Sequence, residues 1–466
     1  MADLPLPVSR PIALPQVPRW VSFRHSVALA ANPIPVLDGY LSTYGDTVAT
    51  YLGGIQPTLL TRDPGLIQHV LQKNHRNYPK SALSRGLGRF LGQGLLTSEG
   101  SYWLQQRRLI QPGFHRQRIA GLTELMLGVI DESLAPLQAQ AARQGGAVEA
   151  DVPELMTALT FRIMARSVFS TSMSEAELQR LAALLTALQA FYVRTVRQPY
   201  LKLWLNASGQ YRRHDALSAE MRELLRGYVR QRRQAARRPG YAPPNDLLQM
   251  LLDARYEDTG EPMSEEQVLD EAAILLVAGH ETSANALSWL WLLLARHPQE
   301  VARLRADMQA VLGGRAPQLA DLAQLPYALQ LIQETMRLYP PAWIMDRVAL
   351  ANDEYQGVPL PKGTLVSAYI YGLHHSPRLW SEPEAFRPER FGKDQLREQA
   401  APAYLPFGAG PRLCIGNQFA LTEMQLVLLE VLRRFEVEPV DTGHPGLQPL
   451  ITLRPRTSFR LRLRLR

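Results

Sequence analysis

Cys414 is the single cysteine of this 466-residue chain, which excludes any intrachain disulfide and any multi-cysteine zinc or iron–sulfur site. Taken alone, such a residue is more often a buried, inert small hydrophobe than a reactive group. Its neighbours argue for chemistry. The run Phe407-Gly408-Ala409-Gly410-Pro411-Arg412-Leu413-Cys414-Ile415-Gly416 leads directly into a helical pattern from Asn417 to Arg434. Adjacent backbone N–H groups and a helix N-terminus stabilise a thiolate. Gly410 can take a turn conformation closed to other residues, and Gly416 lets a flat ligand approach the backbone. Arg412 would meet an anion, and Phe407 would shield the sulfur.

Two further groups of residues carry possible chemistry. Ala278-Gly279-His280-Glu281-Thr282 interrupts an apolar helical run with a glycine, an acid and a hydroxyl. Gly279 removes bulk where a ligand could approach, and the Thr282 hydroxyl can bond a preceding carbonyl and loosen the helix locally. The bland alternative is a helix with a few solvent-facing polar residues. Glu334 and Arg337 stand three apart and share a helix face, a spacing that is usually a surface ion pair of little energetic weight.

Read together, these motifs resemble those of the cytochrome P450 haem-thiolate monooxygenases of the soluble bacterial type. The cysteine loop matches F-x-x-G-x-R-x-C-x-G, residues 278–282 match A-G-x-D/E-T, and Glu334-Thr335-Met336-Arg337 matches E-x-x-R. The resemblance implies a haem b whose iron is held by the Cys414 thiolate, with O2 as co-substrate. It also implies that Glu281 and Thr282 act as an acid–alcohol proton relay beside Gly279. Arg390 would be the third member of a buried structural network with Glu334 and Arg337. Trp103 and Arg107 resemble the family's W-x-x-x-R pair, and with Arg347 and Arg412 they would hold the haem propionates. His280 falls at the motif's variable position and is expected to pack or face solvent. His374 and His375 are adjacent and no H-E-x-x-H occurs, which argues against a metalloprotease.

Substrate identity is less legible. Leu87, Leu91, Leu96, Phe191, Ala278 and Ile344 are candidates for the lining of a greasy pocket, each with plain core packing as the competing reading. Such a pocket suits a lipophilic small molecule of the fatty acid, terpenoid, steroid or polyketide class. The expected reaction inserts one oxygen atom from O2, as hydroxylation or epoxidation. Electrons would come from NAD(P)H through a separate reductase and a ferredoxin or flavodoxin, which Arg108, Arg116 and Arg118 could help to dock. A peroxide-driven peroxygenase of the same fold is the alternative. A haem sensor without turnover and a colourless helical scaffold are further readings.

The elements that must place these residues are mostly helical. Apolar periodicity of 3.6 marks helices near 102–111, 118–143, 152–170, 174–196, 208–237, 264–296, 298–311 and 326–338. The longest begins at Ser264, where Gln267 completes a capping-box pattern, and ends before Pro298. At about 33 residues it is roughly 50 Å long and apolar all round from Ala272 to Ala278, as a helix through the centre of a molecule should be. Strands are predicted at Val48–Leu52, Pro57–Thr61, Arg347–Leu350, Leu365–Ile370 and Phe459–Leu465, with a turn at Gly53-Gly54. The expected fold is mainly α with small β-sheets, a large helical region plus a smaller β-rich region in the cytochrome P450 manner. A Pro-rich segment 1–24 would precede a single domain over 25–466.

Composition agrees with a globular chain. It is 46% apolar and 20% charged, with formal net charge +8, and only five of 51 basic residues are lysines, Lys393 among them. That modest excess does not call for nucleic acid. Residues 1–35 lack a charged flank followed by an unbroken apolar stretch, so neither signal peptide nor membrane span is expected, and the chain is read as a cytoplasmic monomer.

Overall fold

The computed structural model describes residues 14–52, 56–170, 173–392 and 402–466. Part of the Pro-rich segment, the Gly53-Gly54 turn and Lys393 lie outside the described residues. Helices of eleven residues or more are α1 (Pro33–Tyr44), α2 (Gly100–Ile110), α3 (Arg116–Arg143), α4 (Val152–Phe169), α5 (Glu175–Arg197), α6 (Gln210–Ala235), α7 (Glu265–Arg296), α8 (Pro298–Leu312), α9 (Pro326–Leu338) and α10 (Asn417–Arg434). Strands are β1 (Thr47–Leu52), β2 (Gln56–Thr61), β3 (Ala147–Asp151), β4 (Met345–Val348), β5 (Asp353–Tyr355), β6 (Val358–Leu360), β7 (Leu365–Ala368), β8 (Phe435–Pro439), β9 (Leu447–Pro449), β10 (Leu453–Pro455) and β11 (Arg460–Leu465). Mainly α with small sheets is the observed class.

Described residues fall into two compact units. One comprises Met1–Ser84, Ala342–Pro383 and Gln399–Leu413, the other Arg85–Pro341, Glu384–Glu398 and Cys414–Arg466. The first is organised on a four-stranded sheet in the order β1-β2-β7-β4. β1 and β2 pair antiparallel with Val48 opposite Leu60, β2 runs parallel to β7, and β4 is antiparallel to β7 with Arg347 opposite Val366. The predicted strand at 347–350 is displaced by two residues to 345–348, and the one at 365–370 stops at Ala368 because Ile370 opens a short helix to His374.

The second unit is helical and its core is the α4–α7 pair. α7 buries Val268 to Val277 and Ser283 to Leu294, so it has no solvent face over most of its length. Ser264 caps it: its hydroxyl accepts from Gln267 N at 3.2 Å and Gln267 Oε1 accepts from Ser264 N at 2.8 Å, the reciprocal pattern read from the sequence. A second capping box, Ser174 with Glu177, opens α5. The predicted helix at 208–237 is α6, preceded by a short turn and the helix Lys202–Ala207 that periodicity did not separate. In the sheet β3-β11-β8 the alternation of β11 is resolved as expected, with Leu461 and Leu463 buried and Arg460, Arg462 and Arg464 exposed. Short strands such as β3, β8, β9 and β10 were not predicted, since three to five residues hold too little alternation to register.

Candidate active site

The loop before Cys414 is shaped by its glycines. Gly408 and Gly410 have φ of +74° and +68°, a region L-residues with a Cβ rarely enter. At Gly410 a Cβ would also come within 2.1 Å of the Leu71 carbonyl oxygen, so the glycine serves close packing as well as the turn. Leu413 N donates to Gly410 O at 3.0 Å, closing a 3-10 turn over Gly410–Arg412. Gly416 then caps α10, and a Cβ there would meet only the Phe114 ring at 3.8 Å.

The Cys414 sulfur belongs to an exposed residue, yet protein encloses it enough to push its thiol up, against the Gly416 N–H and the Arg107 charge, which both favour the thiolate. It is therefore surrounded by protein and still reached by solvent. The expected thiolate stabilisers are present but do not outweigh burial, so a bound metal would complete the deprotonation. Arg107 is itself lowered by burial, with Cys414 acting to raise it, and its Nε donates to Gln111 Oε1 at 3.2 Å. Trp103, one turn earlier on α2, is buried.

The middle of α7 reaches solvent where the rest of the helix is largely buried. Within an otherwise buried stretch, Ala278 is exposed and Gly279, Glu281 and Thr282 are half-buried. Thr282 Oγ1 donates to Ala278 O at 2.8 Å, as the sequence suggested, while the helix continues without a break. Gly279 has a different reason from the one expected: a Cβ there would come within 2.3 Å of Met164 Sδ on α4. The missing side chain lets α4 approach α7, and the neighbouring Ala278 is exposed. His280 packs, buried edge-on against Phe161 at 5.1 Å, with Nδ1 at 2.6 Å from Leu276 O.

Glu281 is held by residues far away in sequence. Thr452 Oγ1 donates to its Oε1 at 2.6 Å and Gln189 Nε2 to its Oε2 at 2.6 Å. Nothing in sequence spacing marks Gln189 or Thr452, which lie 92 and 171 residues away. Glu423 on α10 was also missed. It is fully buried, no donor among the described residues reaches hydrogen-bond geometry with either carboxylate oxygen, and burial pushes it up to about 8, with the neighbouring Ser283 hydroxyl acting the other way.

Glu334, Arg337 and Arg390 are brought together. Arg337 donates Nε to Oε2 at 2.8 Å and Nη2 to Oε1 at 2.9 Å, and Arg390 Nε reaches Oε1 at 3.0 Å. Arg387 N adds a bond at 2.9 Å and Arg337 Nη2 also donates to Ala385 O at 3.1 Å. Glu334 and Arg337 have no exposed surface, so this is not the weak surface pair that spacing alone would suggest.

Arg347, buried on β4, donates Nη1 to Asp346 O at 2.8 Å. It belongs with half-buried Phe407 and Arg412 to the first compact unit, whereas Trp103, Arg107, Cys414 and Gly416 belong to the second. Of the pocket candidates, Leu91 has no exposed surface, Leu87 is buried, and buried Phe191 is stacked on His214 at 3.7 Å and set edge-on to Phe90 at 5.8 Å. Those three are packing residues. Leu96 and Ala278 are exposed and Ile344 is half-buried.

A lone sulfur opening on one side at the head of α10, with an N–H and a guanidinium beside it, is the donor set of a haem-thiolate protein. The residues of the second unit fit the group: Cys414 would ligate the iron, and Trp103 and Arg107 would offer an N–H and a cationic donor of the kind a propionate needs. The cytochrome P450 family model matches residues 15–460, across both compact units. The chain is 35% identical to cyclooctat-9-en-7-ol 5-monooxygenase of Streptomyces melanosporofaciens, covering 89% of this chain and 87% of the relative. It is 35% identical to cyclooctatin synthase of the same organism over 94% and 91% of the two chains. The crystal structure of the cytochrome P450DA heme domain superposes with a TM-score of 0.86 at 26% identity, covering 98% of each chain. The chain belongs to the cytochrome P450 family, and it is an enzyme of the haem-thiolate monooxygenase kind that uses O2.

Proposed function

We propose that this protein inserts one oxygen atom from O2 into a lipophilic small molecule, by hydroxylation or epoxidation, with a terpenoid as the first substrate class to test. The observation that carries the reading is the Cys414 sulfur, open on one side and flanked by the Gly416 N–H and the Arg107 charge. Haem, when bound there, supplies the activation of O2. The protein's own contributions are to hold the sulfur in its loop, to shape an apolar opening beside Ala278, and to move protons by way of Glu281 and Thr282. The terpenoid class is supported by relatives named for cyclooctatin chemistry. Fatty acids, steroids and polyketides are the other classes for the panel; leukotriene-B4 omega-hydroxylase 3 of Mus musculus is 29% identical over 91% of the chain.

Electrons reach the enzyme, in this proposal, from NAD(P)H through a separate reductase and a ferredoxin or flavodoxin that docks on basic residues such as Arg108, Arg116 and Arg118. A cytoplasmic monomer suits a chain with one unpaired cysteine. No helix among the described residues is long and apolar enough to cross a membrane. The peroxide-driven alternative is disfavoured by the acid–alcohol pair, for which a peroxygenase has no need. The test is the absorption spectrum of the reduced protein under carbon monoxide. Thiolate ligation shifts the main band to a position that imidazole does not reach, and Cys414→Ser should abolish it. A parent protein without that band after haem reconstitution would overturn the reading. Turnover with peroxide against turnover with a reductase system separates the two oxidation modes.

A further inference from the structure

His374 has no exposed surface, and it touches the loop that leads to Cys414. Its Nε2 accepts the backbone N–H of Leu405 at 2.9 Å, nine residues before the sulfur. Leu405 O in turn accepts from Gly408 N at 3.1 Å, which closes the first turn of the loop where Gly408 takes its positive φ. The next fixed point is Gly410, packed against the Leu71 carbonyl, and Leu413 N closes the last turn on Gly410 O. The loop is therefore held once before Phe407, by a hydrogen bond to a side chain, and once after it, by close packing. His374, Leu71 and residues 399–413 all belong to the first compact unit.

The sheet of that unit decides where His374 stands. β7 pairs with β2, and just beyond it Tyr369 N donates to Thr61 O at 2.8 Å. The short helix Ile370–His374 continues from there, with Tyr371 N bonded to Trp343 O at 3.0 Å. At its end the imidazole is stacked on Tyr404 with centroids 5.5 Å apart and set edge-on to Trp380 at 6.5 Å. Trp380 is fixed in turn by its Nε1, which donates to Leu373 O at 3.2 Å. Rings packed in this way restrict the imidazole plane and aim Nε2 at Leu405. A ring nitrogen that accepts an N–H carries no hydrogen of its own, so the bond requires a neutral imidazole protonated on Nδ1. A peptide N–H deprived of such an acceptor must find another, and the backbone around it reorients to do so.

Resting on the reading of Cys414 as the haem ligand, we propose that His374 is a positioning residue for the cysteine loop: as a neutral acceptor for Leu405 N–H it ties the loop to β7 and thereby fixes where the chain delivers the sulfur. Close packing at Gly410 limits how far the later part of the loop can move, and His374 sets the direction in which the loop enters that part. Without the bond at Leu405 the turn at Gly408 loses its reference to the sheet, and the displacement is passed along the chain to Cys414.

The test uses the full-length holoenzyme and two measurements, amide hydrogen exchange within residues 402–408 and the reduced spectrum under carbon monoxide. His374→Leu should speed that exchange about tenfold, the equivalent of one lost hydrogen bond, and should lose thiolate band in favour of the band of a non-thiolate ligand. His374→Gln and His374→Asn each present an amide oxygen to Leu405 N–H, and at least one of them should match the parent in both measurements. Should His374→Leu not accumulate as folded protein, His374→Phe, which keeps a ring between Tyr404 and Trp380, takes its place in the comparison. Faster exchange with the thiolate band intact would show a purely structural tie and overturn the proposal. So would an apolar variant that matches the parent in both measurements, or both amide variants behaving as the apolar one. Failure of the haem-thiolate reading would instead show as a missing thiolate band in the parent, with the exchange comparison still reporting on the bond at Leu405.

Discussion

Glu334 and Glu281 are both carboxylates inside one helical unit, and their surroundings could hardly differ more. Glu334 is sealed from solvent and receives two guanidinium groups and a backbone N–H. Glu281 is half-buried at an opening and receives one hydroxyl and one amide, both neutral. The first arrangement saturates the charge and fixes the chain around it, since any released partner leaves an uncompensated buried ion. The second holds a side chain in place through neutral donors alone, as the proton-relay role proposed for Glu281 would need. Glu423 is a third case: buried, with no well-placed donor among the described residues, and pushed up to about 8 so that it carries a proton near neutrality.

The contrast can be broken most severely at the sealed site. Arg337→Leu removes the bidentate partner of Glu334 and should cost on the order of 3–5 kcal/mol, read as a fall in the urea midpoint and in haem content. A variant with the parent's midpoint would show that Glu334 is not held ionised by this network. At the open site the effect should fall on chemistry, with the fold intact. Thr282→Ala should keep haem and the thiolate band while product formed per reductant drops about tenfold and peroxide rises. Tightly coupled turnover in that variant would remove Thr282 from the relay.

Glu423 sharpens the comparison through pH. Its carboxyl is raised in the folded protein from the ordinary 4.5 to about 8, so its contribution favours the fold below about 4.5 and is lost as pH rises toward 8. Glu423→Gln should therefore gain on the parent by on the order of 1 kcal/mol per pH unit across that window. Equal urea midpoints for parent and variant at pH 5, and equal midpoints again at pH 8, would mean the carboxyl is not held protonated. The smallest effect is expected at the start of α7, far along the helix from its opening. Ser264→Ala breaks one capping box and should cost about 1 kcal/mol, with the thiolate band and product formed per reductant left as in the parent.

Legibility followed the range of the interaction. The cysteine loop, the capping box at Ser264 and the long helices were read within a few residues of their observed bounds, because glycine φ, N-capping and 3.6-residue periodicity act over short stretches of chain. Glu334 with Arg337 was legible as a pair at helical spacing. That Arg390 closes on the same carboxylate was implied only by family resemblance, and the Arg387 N–H on it was not read at all. Gly279 shows the opposite outcome: the residue was singled out, but for space toward a ligand, while the structure puts Met164 of α4 against it. Leu91 and Phe191 were equally ambiguous, since an apolar side chain reads the same whether it lines a pocket or fills a core.

The sequence alone determined the turn chemistry before Cys414, the position of the sulfur at the head of a helix, and the length and apolar character of α7, each a consequence of local backbone preference or periodicity. Only the tertiary structure decided that Glu281 is clasped by Gln189 and Thr452, that Arg107 stands by Cys414, and that Glu423 is buried without a donor. Those outcomes depend on side chains meeting across separations of tens to hundreds of residues, where neither propensity nor spacing carries information and packing alone selects the neighbour.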